Sequence, residues 1–173
     1  PVVTMKCLVV LHRLFHQASP QILSARVTRE TFLDRLWESW TQPQWGRGNG
    51  KLSRVNASFL QAKKKFHGQF TGIPGDFSQE RYFKEHPIRA HTIQQTQDII
   101  TSLLKLQASL LQVVGIILAS ARAGQLDQVK QASLIPLVTE SYALYSMECK
   151  LMSLIGERRA DSTVLLGPPY AIF

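Results

Sequence analysis

The stretch from Gln125 to Gly156, QLDQVKQASLIPLVTESYALYSMECKLMSLIG, limits the fold more than any other because it is long and patterned throughout. Leu134, Val138, Tyr142, Tyr145, Cys149, Met152 and Ile155 recur at steps of three and four, which sets them on one stripe of a helix. That stripe is expected to face a core, with Asp127, Lys130, Glu140, Glu148 and Lys150 mostly off it. A helix of this kind gains little from propensity and must bury its stripe against partners. Thr92 to Ala123 reads as a second long helix, and Ala123-Gly124-Gln125 is a tight break with Gly124 suited to a C-cap. The two form an antiparallel hairpin, the wall on which the N-terminal helices stack.

Those N-terminal helices are shorter. In Met5 to Gln17, Leu8, Leu11, Leu14 and Phe15 share an inward face opposite Lys6, Arg13 and Gln17. His12 and His16 lie one turn apart, a spacing that can hold a metal. No third ligand accompanies them, so they read as helix-surface histidines. Thr28 to Trp40 is a further amphipathic helix with an aromatic face, followed by a loop over Thr41 to Gly50 broken by Pro43 and three glycines. From Lys51 to Gln69 the helical period resumes: Leu52, Val55, Phe59, Leu60 and Phe66 point inward, and Arg54, Lys63, Lys64 and Lys65 outward. Phe70 to His91 is a long connection anchored by Phe77, Tyr82 and Phe83. At the far end Arg158 to Asp161 closes the last helix, and residues 161–173 form an extended apolar tail behind a helical domain of residues 1–160. Leu165, Leu166, Tyr170, Ile172 and Phe173 are too apolar for a free tail and are candidates for docking on this domain or on a partner.

A chain of 173 residues that is 45% apolar can bury one sizeable core, so one all-α domain is expected. Cys7 and Cys149 sit among apolar helical residues far apart and read as buried free thiols of a reducing compartment. The opening Pro1-Val2-Val3-Thr4 shows no charged leader, so no signal peptide is expected, and its start within a helical pattern suggests that residues precede it. The most apolar window, Leu110 to Ala121, is short of the roughly 20 residues of a membrane-crossing helix and reads as core.

The net charge of +8 is unevenly spread. Residues 1–67 hold eleven Lys/Arg against Glu30, Asp34 and Glu38, while residues 68–173 hold nine of each sign. The basic part could face an anionic membrane, an acidic protein or nucleic acid, or simply solvent. Its one dense cluster gives the candidate anionic-surface contacts: Arg54, Lys63, Lys64, Lys65 and His67. Three consecutive lysines fan over roughly 200° of a helix, so they cannot all meet one flat surface. Nucleic acid is disfavoured, because Phe32, Trp37, Phe59 and Phe66 follow core periodicity rather than forming a stacking platform. Phosphate-loop, GxSxG and GxGxxG motifs are missing, and no carboxylates pair on an apolar helical face. A catalytic reading therefore has nothing to rest on, and no metal or cofactor is expected.

Taken in order, KCLVVLHRLFHQASPQIL, ETFLDR, VNASFLQAKKKF and VKQASLIPLVTESYALY…LMSLIG resemble the ANTH domain of clathrin assembly proteins over about Met5 to Arg158. The last stretch is the most specific, with Pro136, Glu140, Ser141 and Tyr145 in register. The resemblance implies a right-handed stack of antiparallel helices, an ANTH/ENTH/VHS-like solenoid. It also implies a cytoplasmic adaptor of clathrin-mediated endocytosis, peripheral at membranes or coated vesicles. Expected partners are phosphatidylinositol 4,5-bisphosphate membranes, clathrin and adaptors, and in some members SNARE proteins. The family's Lys-rich lipid motif would lie upstream of Pro1; Lys63-Lys64-Lys65-Phe66-His67 matches it in composition but on a later helix. The alternative is an ANTH-like stack built into a larger protein assembly without lipid binding.

Overall fold

The computed structural model describes residues 2–19, 35, 48–86 and 92–165, with side chains as far as 158. The expected helix over residues 28–40 and most of the loop after it lie outside the described residues, apart from Arg35. Five helices are described: α1 Val2–Gln17, α2 Gly48–Gln69, α3 Gln79–Glu85, α4 Ile93–Arg122 and α5 Gln128–Leu165. The expected all-α stack is the observed one.

The α4–α5 hairpin is defined by local chemistry. Thr92 caps α4 through a reciprocal pair: its hydroxyl accepts from the Gln95 N–H at 3.1 Å, and the Gln95 side chain accepts from the Thr92 N–H at 2.8 Å. At the other end Gly124 takes φ of 67°, a conformation that costs glycine least, and Gln125 N–H closes on the Ser120 carbonyl at 2.8 Å. Asp127 starts α5, its carboxylate accepting from the Lys130 N–H at 2.9 Å.

The core lies where four helices meet. α4 packs against both α5 and α2, α1 bridges α2 and α5, and α3 touches α5. Leu103, Leu110, Val113 and Ile117 of α4 close on Leu137, Leu144 and Met147 of α5, with Leu52, Phe59 and Leu60 of α2 and Met5 and Leu8 of α1. By length and composition α4 could span a bilayer; of the window expected in the core, Leu110, Val113 and Ile117 are buried, while Leu111 and Leu118 are exposed.

Several expectations are corrected. A helix stands where Gln125 to Gly156 predicts one, at Gln128–Leu165, but its buried face is Leu137, Glu140, Leu144, Met147, Leu151 and Leu154. The stripe expected inside is outside: Val138, Tyr142, Tyr145, Cys149 and Met152 are exposed, and Leu134 and Ile155 are half-buried. Apolar residues recur at the same spacing on both sides of α5, so the period identifies a helix without saying which side is in. In α1, Leu14 is exposed and His12 takes its place in the core. Both thiols are free as expected, but exposed, because Cys7 and Cys149 lie on outward faces. α5 runs past Asp161 to Leu165, since nothing before Gly167-Pro168-Pro169 stops it. Leu165 is thus helical backbone, while Leu166, Tyr170, Ile172 and Phe173 lie outside the described residues. The connection after α2 is better ordered than read, with Ser78 capping α3.

Candidate anionic-surface interface

The basic cluster divides into an inside and an outside. Lys63 is wholly buried, and its ammonium donates to Glu140 Oε2 at 2.6 Å. His12 Nε2 lies 2.7 Å from the same oxygen, and His16 Nδ1 lies 3.6 Å from it. One carboxylate oxygen thus gathers α1, α2 and α5. Burial pushes the Glu140 carboxyl up, but Lys63, His12 and His16 outweigh it, and the net position is well below the usual carboxylate range. Burial draws the Lys63 ammonium down and Glu140 opposes it only in part, so the net position is below the usual lysine range. With a carboxylate at hydrogen-bond distance, the ionised pair is the neutral-pH state. The second oxygen, Glu140 Oε1, is buried without a hydrogen-bond partner among the described residues.

His67 is also a core residue. Its Nδ1–H donates to the Ile73 carbonyl at 3.1 Å, which fixes the neutral tautomer and leaves Nε2 buried without a partner among the described residues. Burial, with Lys63 nearby, lowers its pKa to about 4. Phe77 roofs the pair, its ring centroid 5.2 Å from the His67 ring and 5.2 Å from Lys63 Nζ. To place that ring the backbone of Phe77 adopts φ of 55°, a strained region for a non-glycine residue. Lys63 and His67 are therefore withdrawn from the anionic-surface contacts; buried and engaged, they cannot reach a lipid headgroup.

What remains outside is Lys65, exposed, with Arg54 and Lys64 half-buried. Lys51, Arg54 and Lys65 fall on one face of α2 by helical spacing, with Ser58 between them. Lys6 and Arg13 are exposed on α1. The α1 and α2 segments together carry seven Lys/Arg and no Asp/Glu, and Glu140 of α5 takes up Lys63 inside. That absence of acids was the readable signal for Lys6, Arg13 and Lys51. A separate open cleft of about 330 Å³ lies beside Gly72, Tyr82, His86 and Asp98. A Cβ at Gly72 would come 2.5 Å from the His86 ring.

A family model of the ANTH domain matches residues 1–163. Protein SLA2 of Saccharomyces cerevisiae is 27% identical over 161 residues, covering 91% of this chain and 16% of that protein. The solved ENTH domain from epsin-2, in complex with phosphatidylinositol 4,5-bisphosphate, superposes with a TM-score of 0.76 at 25% identity, covering 94% of this chain and 62% of that one. The chain thus spans a small part of the first relative's length and under two thirds of the second's.

Proposed function

The chain belongs to the ANTH domain family, and from that premise we infer that it is a membrane-trafficking adaptor domain that docks peripherally on phosphoinositide-bearing membranes. The observation that carries this reading is the acid-free pair of segments α1 and α2, whose remaining cations lie at the surface once Lys63 is paired inside. Each Lys or Arg near an anionic leaflet contributes about 1 kcal/mol, so several together hold a protein at a membrane without insertion. The structural neighbour solved with phosphatidylinositol 4,5-bisphosphate supports this lipid class. Clathrin, adaptor or SNARE partners, and a place at coated vesicles, follow from the same family reading. Co-sedimentation with vesicles tests it: binding should rise when phosphatidylinositol 4,5-bisphosphate is added to a neutral lipid and fall with salt. Equal sedimentation with and without that lipid would overturn it.

A second reading, a scaffold built into a larger assembly, is favoured by one observation: Tyr142 and Tyr145 stand exposed on α5. Under it, Tyr142→Glu with Tyr145→Glu, like removal of Ser162 to Phe173, releases the chain from its assembly, and continued co-purification of both variants would overturn it.

A further inference from the structure

α2 runs through the stack with a narrow ridge in solvent. Leu52, Asn56, Phe59, Lys63 and Phe66 are buried on its other sides. Lys51 and Lys65 are exposed, and Arg54, Ser58 and Ala62 are half-buried. At about 100° per residue these last five fall within an arc of roughly 80°, so they stand in one line along the helix.

The cations of this ridge have no counter-charge. None of Lys51, Arg54 and Lys65 forms an ion pair among the described residues, and α2 contains no Asp or Glu. Other segments of the chain do not complement them: residues 20–47 hold four Arg against three acids, and residues 166–173 carry no charged side chain. Uncompensated positive charge of this kind fits an anionic partner. Between Arg54 and Lys65 the line carries Ser58 and Ala62, too short to hold the helix off a flat surface.

Spacing narrows the partner further. Lys51 and Arg54 are one turn apart, roughly 5 Å along the axis, whereas Arg54 and Lys65 are roughly 16 Å apart at about 1.5 Å per residue. Helical side chains all lean towards the N-terminus, so both ends of that gap shift the same way and the gap persists. It exceeds the reach of the phosphates on one inositol ring. A leaflet offers anionic groups repeated in a plane, which meets both ends of the ridge. Resting on the membrane reading above, we propose that the α2 ridge lies lengthwise on the leaflet and engages two headgroups at once, one at Lys51 and Arg54 and another at Lys65. Docking is then governed by phosphoinositide density: once the first headgroup is held the second contact is intramolecular, and it fails where the lipid is sparse.

The test is sedimentation of the full chain with phosphatidylcholine vesicles of graded phosphatidylinositol 4,5-bisphosphate content at fixed total lipid. Binding should rise with about the second power of that content or more steeply, and soluble inositol 1,4,5-trisphosphate equal to the accessible lipid should displace little, since a free headgroup satisfies one end at a time. Lys65→Ala should lower the power by about one and weaken binding roughly fivefold, as loss of one leaflet-facing cation does. Lys105→Ala, which removes an exposed cation of α4, should leave the power unchanged. Lys65→Ala with Ser58→Arg conserves net charge but gathers the cations within two turns, so the power should stay low. A first-power response in the parent, full displacement by the soluble headgroup, or recovery of the parent's power in that double variant would overturn this inference alone. No sedimentation at any content of the lipid would overturn the membrane reading with it.

Discussion

At the scale of single residues, the informative side chains are those whose charge gives the wrong impression of where they sit. Lys63 opens the lysine run in AKKKF, and its partner Glu140 is on another helix, so no local pattern could bring it inside. Removing one member of a buried ion pair strands the other at a cost of about 3–5 kcal/mol. Glu140→Gln should therefore lower the unfolding free energy by that order in urea melts. Lys63→Met combined with Glu140→Leu should cost less than the two singles summed, with a coupling of about 2 kcal/mol. Simple additivity would show that the pair does not act as a unit. His67 makes the second case. Its pKa falls from 6.5 in the unfolded chain to about 4 in the fold, so between those values the unfolded chain takes up a proton that the native one does not. Its stabilising contribution is present above pH 6.5 and is lost as pH falls towards 4, about 3 kcal/mol in total. Glu140, held low, adds its own loss once pH falls below about 4.5. His67→Leu should remove the first of these slopes and leave the second, read as unfolding free energy against pH.

At the scale of the elements, helix existence was legible and helix orientation was not. Period alone places α1, α2, α4 and α5 close to where they are, and Thr92 and Gly124 signal the hairpin ends by their chemistry. The facing of α5 was unreadable because its outer seam is as apolar as its inner one and carries the tyrosines that usually mark a core. The inner seam even includes Glu140, which a pattern reading assigns to solvent. Where one face alone was apolar, as in α2, the reading held for Leu52, Phe59, Leu60 and Phe66. The caps give a local test. Thr92→Ala removes the hydroxyl that accepts from Gln95 and should cost about 1 kcal/mol of stability, read in thermal melts; an unchanged midpoint would mean that α4 is held by packing alone.

At the scale of the whole molecule, the helices form a scaffold that hides a charged junction and shows two kinds of face. One kind carries the exposed cations of α1 and α2; the other is the apolar outer side of α5. The family resemblance is legible in VKQASLIPLVTESYALY itself, and the ANTH match over residues 1–163 agrees with it. The sorting of the lysine run into core and surface came only from the fold. That sorting is the claim on which the membrane reading turns, and vesicle affinity measures it most directly. On vesicles containing phosphatidylinositol 4,5-bisphosphate, Lys65→Glu should weaken binding by about fivefold or more, as expected for losing a cation worth about 1 kcal/mol at an anionic leaflet. The Lys63→Met, Glu140→Leu pair, which changes only the interior, should bind as the parent does. Equal losses from both, or a loss from the interior pair alone, would contradict the account.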